Sequence, residues 1–382
     1  MKLPVGRQLY RSIWLRIAFI TLVGLSWLAF GSAFASAQEA GQGESTGPDW
    51  WELGLGVLAG LGLFLYGVTR LAQALDQVAG ERMKELLNRS TQNRFAAVGT
   101  GFAATTILDS SSVTIVSVIA MVSAGLMTFA HSLGVVMGSN IGTTMSSVLF
   151  ATHLDRFAAV IFIIGLLLHY AVKDERWRKA GLVILGLGLI FLGLNLIGDA
   201  LEPLEEFQPF LDWMGRVGES PLLGVLIGAG ATVILQSSSA TLGIIIAMAS
   251  EGLIGLPAGV AMMLGAEIGT TADTLIATIG RSRPAVRTGM FHLLFNLTTV
   301  VLGVVFVQQL TGLAQTIVRS ENVEGQITAA QVIFNVTGVL LLLPFTRTIA
   351  RGLERLIPDE GDTKQASQDL GLDAVQQGSK GS

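Results

Sequence analysis

Two short polar clusters carry the chemical potential of this 382-residue chain: Asp109-Ser-Ser-Ser112 and Gln236-Ser-Ser-Ser239. Each lies inside a long apolar stretch. Hydroxyls, an amide and a carboxyl group are costly in such surroundings unless they bind something or one another. A shift of 127 positions lays one cluster on the other without a gap, and it also lays Gly138-Ser-Asn-Ile-Gly-Thr-Thr144 on Gly265-Ala-Glu-Ile-Gly-Thr-Thr271. From Asp109 to Thr144 the two copies agree at 15 of 36 positions. The chemistry available is ligand binding. Serine hydroxyls and unpaired amide N–H groups at a helix start can hold an oxyanion without lysine or arginine. Carbonyls freed at a helix break, with the hydroxyls of Thr143, Thr144, Thr270 and Thr271, can instead hold a small hard cation such as Na+.

The elements that must position these groups are membrane helices. The chain is 51% hydrophobic and 14% charged, has 46 glycines and a mean hydropathy of +0.61. That composition is a polytopic membrane protein, not a soluble enzyme. It has no cysteine, which excludes disulfides and thiolate metal sites, and its four scattered histidines form no transition-metal motif. Basic runs are short and sit at membrane edges, so no nucleic-acid partner is indicated. No Gly-x-Ser-x-Gly elbow or neighbouring base supports a serine hydrolase, and no cofactor motif is present.

Charge placement sets the expected topology through the positive-inside rule. Residues 1–37 read as a signal peptide ending at Ala35-Ser-Ala37, or an uncleaved anchor, followed by a periplasmic linker over 38–52. Leu53–Thr69 is a span, and residues 71–93 a surface amphipathic helix. Phe95–Ala124 is too long for one span and too short for two, which predicts a re-entrant hairpin with Asp109 to Ser112 at its tip. A 14-residue arm climbs roughly 21 Å, to about the bilayer midplane. Three spans follow, 127–150, 157–172 and 181–198, then an acidic outer loop with Asp199, Glu202, Glu205, Glu206, Asp212 and Glu219. A second hairpin, 222–249, enters from the opposite face. Spans at 254–279, 289–307 and 329–345 complete the fold, with a polar outer loop before the last. The Gly-bracketed patches at 138–144 and 265–271 predict breaks in their helices.

The expected fold class is therefore an all-α polytopic membrane protein with two inverted-topology repeats, each holding a re-entrant hairpin and a broken transmembrane helix. Repeat 1 covers 53–179, repeat 2 covers 180–308, an outer loop and last helix cover 309–357, and 358–382 is a disordered cytoplasmic tail. Such architecture is that of an alternating-access transporter. The glycine-rich runs at 54–67 and 181–193 serve close helix packing. His131, His153 and His169 read as interfacial or packing residues, whereas His292 lies in an apolar span near Asn296. A serine triplet can also be a mere packing surface with hydroxyls bonded back to the helix, but its duplication at constant distance from Ile-Gly-Thr-Thr argues for a site.

Gln236-Ser-Ser-Ser-Ala-Thr241 with two Gly-x-x-Ile-Gly-Thr-Thr elements resembles the sodium/phosphate symporter family, the type II sodium/phosphate cotransporters and their bacterial relatives. Phe291-His-Leu-Leu-Phe-Asn296 and Phe334-Asn335 share that resemblance, which covers roughly residues 53–356 and lacks the regulator-like C-terminal domain of some bacterial members. It implies Na+-coupled phosphate uptake and, by analogy, a homodimer in the lipid bilayer; the charge placement independently predicts a bacterial inner-membrane protein with a periplasmic mature N-terminus and a cytoplasmic C-terminus. The resemblance assigns substrate binding to Ser110, Ser111, Ser112, Gln236, Ser237, Ser238 and Ser239. Cation binding or coupling falls to Asp109, Asn140, Thr143, Thr144, Glu267, Thr270, Thr271 and Asp273. Two positions depart from the family pattern: Asp109 replaces glutamine and Glu267 replaces asparagine. Carboxylates there would repel a phosphate dianion, so another substrate, proton coupling, or a non-transporting scaffold or sensor are the alternatives.

Overall fold

A computed structural model describes residues 48–89, 93–152, 154–319 and 321–359. The leader at 1–37, most of the linker and the tail beyond 359 lie outside the described residues. Among the described residues every regular element is helical.

The first helix, α1 (Trp50–Arg89), is one unbroken rod of 40 residues. The apolar span and the amphipathic stretch expected to be separate are continuous, because no proline or glycine pair interrupts the ladder at Arg70. The first hairpin comprises α2 (Arg94–Leu108) and α3 (Ser111–Ser123). Three helices follow: α4 (Phe129–Phe150), α5 (Ala158–Ala171) and α6 (Glu175–Leu201). The outer acidic segment, expected to be a loop, contains α7 (Gln208–Glu219). Pro209 stands at its start, and Met214 and Val217 are buried on one face, so spacing of three to four residues turned a polar stretch into an amphipathic helix. The turn after it bends 107° into α8 (Pro221–Leu235), the first arm of the second hairpin; α9 (Ser238–Ser250) is the other arm. Then come α10 (Leu256–Gly269), the short α11 (Thr271–Ala277) and α12 (Arg283–Val305). Where a polar loop was expected, α13 (Val307–Ile317) packs by Leu310 and Ala314. α14 (Val323–Leu342) and α15 (Thr346–Leu356) end the described chain. Among the described residues seven helices are long and apolar enough to cross a membrane.

The hairpins are read from side contacts. Residues 97, 101 and 105 of α2 meet 134, 135, 139 and 142 of α4 in ascending order, so these helices run parallel. α3, joined to α4 by a five-residue turn, must run antiparallel to both. α2 is 15 residues long and rises about 22 Å, short of the ~30 Å hydrocarbon core.

The same contacts recur at the 127-residue offset. A Cβ on Gly138 would lie 1.9 Å from the Val98 carbonyl oxygen, and one on Gly265 2.1 Å from that of Val225. Gly101 faces the Val135 carbonyl as Gly228 faces that of Met262, at 2.0 and 1.9 Å. This packing corrects the break expected in the first copy, while the second copy is interrupted at one residue. α4 runs unbroken through Gly138 to Thr144, and in the second copy only Thr270, itself in helical conformation, separates α10 from α11. The glycines let two backbones touch, as small residues do between membrane helices; they do not unwind the chain. Glycines of α1 and α6 behave as expected, with Gly193 closing on the Phe64 backbone and Gly186 on that of Leu71.

Each hairpin seats in its own core. Ile115, Ile119 and Leu133 pack with Phe291 and Phe295 of α12, whereas Leu242, Ile245 and Met263 pack with Val300 and Phe334. α12 and α14 thus stand between the two units. In the turn after α9 Glu251 loses hydration and faces Glu205, Asp199 and Glu202, which together hold its carboxyl above the usual range.

Candidate functional site

Each hairpin reverses on one residue in the left-handed region that is not glycine: Asp109 at φ 48° and Gln236 at φ 53°. Such a conformation is uncommon for these residues and carries a strain of order 1 kcal/mol that the surroundings must hold. The next residue caps the returning helix. Ser110 (φ −158°, ψ 111°) accepts a hydrogen bond from the Val113 N–H, and Ser237 (φ −157°, ψ 113°) from that of Ala240. The two turns are the same object built twice. Capping leaves the N–H groups of Ser111, Ser112, Ser238 and Ser239 ahead of the first intrahelical bonds, which are donated by Thr114 and Thr241. Ser111, Ser238 and Ser239 are buried, Ser110, Ser112 and Ser237 half-buried, and Gln236 is exposed.

A matched hydroxyl pair clamps each hairpin below its tip. Thr105 Oγ1 donates to Thr114 Oγ1 at 3.0 Å, and Thr232 Oγ1 to Thr241 Oγ1 at 2.9 Å. Thr105 also bonds Ser139 of α4 at 2.7 Å. A net hydrogen bond is worth about 1 kcal/mol. We therefore expect Thr232→Val to lower stability by about that amount and Thr105→Val by roughly twice as much, read as midpoint shifts in thermal unfolding of the purified protein.

The tips meet through a residue that the sequence reading did not select. Ser146 of α4 donates to Asp109 Oδ1, and Ser239 at the start of α9 reaches the Ser146 hydroxyl at 3.5 Å. Asp109, Ser146 and Ser239 therefore join the first hairpin, its neighbouring helix and the second hairpin. The counterpart of Ser146 at the 127-residue offset is Asp273. In one copy the carboxyl group stands on the tip and a hydroxyl on the helix; in the other an amide stands on the tip and the carboxyl on the helix. Lining up positions just beyond Thr144 and Thr271 would have shown the exchange.

Deeper in, a second polar group gathers around Asn296. Its side chain accepts from Asn140 Nδ2 at 2.9 Å, donates to the Glu267 main-chain carbonyl at 2.6 Å and meets His292 Nε2 at 3.2 Å. His292 Nδ1 lies 2.9 Å from Thr274 Oγ1. The Glu267 carboxyl accepts from Asn335 Nδ2 at 3.0 Å and from Gln331 Nε2 at 3.2 Å, both on Oε1. Gln331 was missed because α14 falls outside the duplicated stretch; its spacing of four from Asn335 puts both on one face. The threonines expected as cation ligands are turned to their own helices: Thr143 donates to the Ser139 carbonyl, Thr144 to Ile141, Thr270 to Ala266 and Thr271 to Ile268. α4 stays wound beside Thr143 and Thr144, whereas at the interruption of the second copy the Glu267 carbonyl accepts from Asn296 Nδ2.

Between Arg94 and Arg156, and again between Arg216 and Arg281, the chain contains no lysine or arginine. Positive potential at the tips comes from helix starts and hydroxyl protons, a donor set suited to an oxyanion. Among the described residues no group of three or more His, Cys, Asp or Glu could hold a metal ion.

Several known proteins are similar to this chain in sequence. An uncharacterized Bacillus subtilis protein, YqeW, is 31% identical over 295 residues, covering 77% of this chain and 95% of its own length. The Escherichia coli protein named "Putative inorganic phosphate export protein YjbB" is 26% identical over 324 residues, 84% of this chain; the chain spans 59% of that protein's length. Human sodium-dependent phosphate transport protein 2C is 35% identical over 99 residues, 25% of this chain and 16% of its own. No solved structure matches. The family model described as Na+/Pi-cotransporter matches residues 63–199 and 206–348, taking in both serine-tipped hairpins and the α12–α14 helices between them. With the doubled tips, their clamps and this match over most of its length, the chain belongs to the Na+/Pi-cotransporter family.

Proposed function

We propose that the chain is a secondary transporter that carries inorganic phosphate inward with Na+ by alternating access, the oxyanion held between the two hairpin tips. The observation that carries this reading is the junction of two identically built tips through Ser146. Three candidate spans, 129–150, 154–171 and 175–204, separate the hairpins. An odd number of crossings makes them enter from opposite faces, which supports two inverted units, 53–179 and 180–308, rocking about a shared site. Asp109, Glu267 and Asp273 are the acidic groups available to the coupling cation. Basic ends such as Arg176, Arg178 and Lys179 support a C-terminus in the cytoplasm of a bacterial inner membrane and a mature N-terminus in the periplasm.

A second reading, outward phosphate transport, is favoured by the name of the Escherichia coli relative. Radiolabelled phosphate flux in proteoliposomes, with Na+ gradients imposed in either direction, separates the two. We expect accumulation driven by external Na+ and its collapse when the gradient is dissipated. A protein that moves no phosphate, sulfate or arsenate under any gradient is a scaffold or sensor, and the transport reading fails.

A further inference from the structure

Glu267 is the one carboxyl group of α10, and it is 3% exposed. Its counterpart in the first copy, Asn140, is neutral, so the repeat does not require a charge here. Among the described residues no cationic side chain pairs with it. Gln331 and Asn335 place their N–H groups on the same oxygen, Oε1, while Asn296 engages the main-chain carbonyl. The carboxyl group is thus hydrogen-bonded on one side by amides that carry no charge.

The unmet demand lies on oxygen atoms. Gln331 is fully buried and its Oε1 accepts no hydrogen bond. The Ser147 hydroxyl of α4 is likewise buried and unpartnered. Ser147 touches the same helix: its carbonyl accepts from Thr328 Oγ1 at 3.4 Å, one turn before Gln331. Two of the four unpartnered buried side-chain atoms among the described residues therefore belong to residues joined to one turn of α14, Gln331 on it and Ser147 through its carbonyl, and Gln331 also bonds the Glu267 carboxyl group. Hydrogen-bond donors would not be left out of so polar a corner without reason; a hard cation takes such oxygens as ligands. A single carboxylate matches a single positive charge.

We infer that Glu267, Gln331 Oε1 and the Ser147 hydroxyl form a Na+ site at the junction of α4, α10 and α14, separate from the hairpin tips. This rests on Na+ being the coupling ion. The site has no twin, since the counterpart of Ser147 is Thr274, which is bonded to His292. It ties both units to α14, so its occupancy favours the arrangement in which they are closed together.

The test is cation-induced thermal stabilisation of the full-length protein in detergent, without phosphate, with choline as the reference cation. A ligand that binds only the folded protein raises its stability as its concentration passes the dissociation constant. We expect Na+ to raise the melting temperature, and Gln331→Leu and Ser147→Ala each to move the half-effective Na+ concentration upward about tenfold or more. Gln331→Leu alters packing as well, so the readout is the Na+ increment and not the starting temperature; Ser147→Thr, which keeps the hydroxyl, is the rescue of Ser147→Ala. A Na+ response identical in wild type and both variants overturns the inference. So does no response to Na+ in wild type, which would assign the corner to a proton or to packing alone. Because no flux is measured, a negative phosphate assay leaves this result standing.

Discussion

Gly138→Ala disrupts the protein, with a loss of ~3 kcal/mol or more, whereas Gly134→Ala is repaired by adding Ala97→Gly. The first outcome follows from what the new methyl group meets. It would lie 1.9 Å from the Val98 carbonyl oxygen and 2.9 Å from the Phe102 nitrogen. Both are main-chain atoms of α2 with no rotamer to yield, so the helices must separate along their whole contact. Overpacking of this kind exceeds the usual 1–3 kcal/mol because neighbouring contacts are lost together. At Gly134 the obstacle is instead the Ala97 Cβ at 2.7 Å. The second copy shows the solution already in use. There glycine stands at 224 and alanine at 261, with the Gly224 position 2.5 Å from the Ala261 Cβ. The pair has exchanged partners across the same contact. Ala97→Gly with Gly134→Ala therefore recreates an arrangement the chain itself adopts, and helix propensity, ~1 kcal/mol for each glycine, cancels across the pair. Thermal unfolding of the single and double variants measures the coupling as a double-mutant cycle. Additive losses would show that the two repeats are not built alike at this contact.

The same contact explains what the sequence did and did not disclose. The offset of 127 residues, the two hairpins and their serine tips were legible because polar side chains at regular spacing in apolar segments have few explanations. The glycines of Gly138 to Thr144 were misread as breaks. A glycine in a helix permits unwinding and permits close approach equally well, and the choice depends on whether another backbone lies opposite, which one strand of sequence does not record. The amphipathic helices α7 and α13 were hidden in stretches judged by polarity and not by period. Ser146 was hidden by its chemistry, since its counterpart Asp273 is a different residue type and direct matching of the copies stops at the threonines. Gln331 lay beyond the duplication altogether, and only the packing of α14 against Glu267 brings it into the site.

Ser146 also defines the second large expected effect, on transport. Asp109 bonds the Ser146 hydroxyl, which in turn meets Ser239 of the opposing hairpin. A hydrogen bond to a carboxylate is worth about 1.5–3 kcal/mol, and if it forms only when the tips are joined its loss slows the cycle about ten- to a hundredfold. We expect Asp109→Ala and Ser146→Ala each to reduce the initial rate of radiolabelled phosphate uptake by that factor. The double alanine variant should be no slower than the worse single one, because both remove the same contact. The decisive variant is Asp109→Gln with Ser146→Asp. It gives the first hairpin the amide tip and helix carboxyl group that Gln236 and Asp273 supply in the second. If the site needs a carboxyl group on each side and tolerates its exchange between tip and helix, this variant recovers most of the rate. A fully active Asp109→Ala would remove the tip junction from the mechanism. An inactive exchange variant that folds normally would instead show that the two halves have diverged in role, with Asp109 fixed to its place on the left-handed turn.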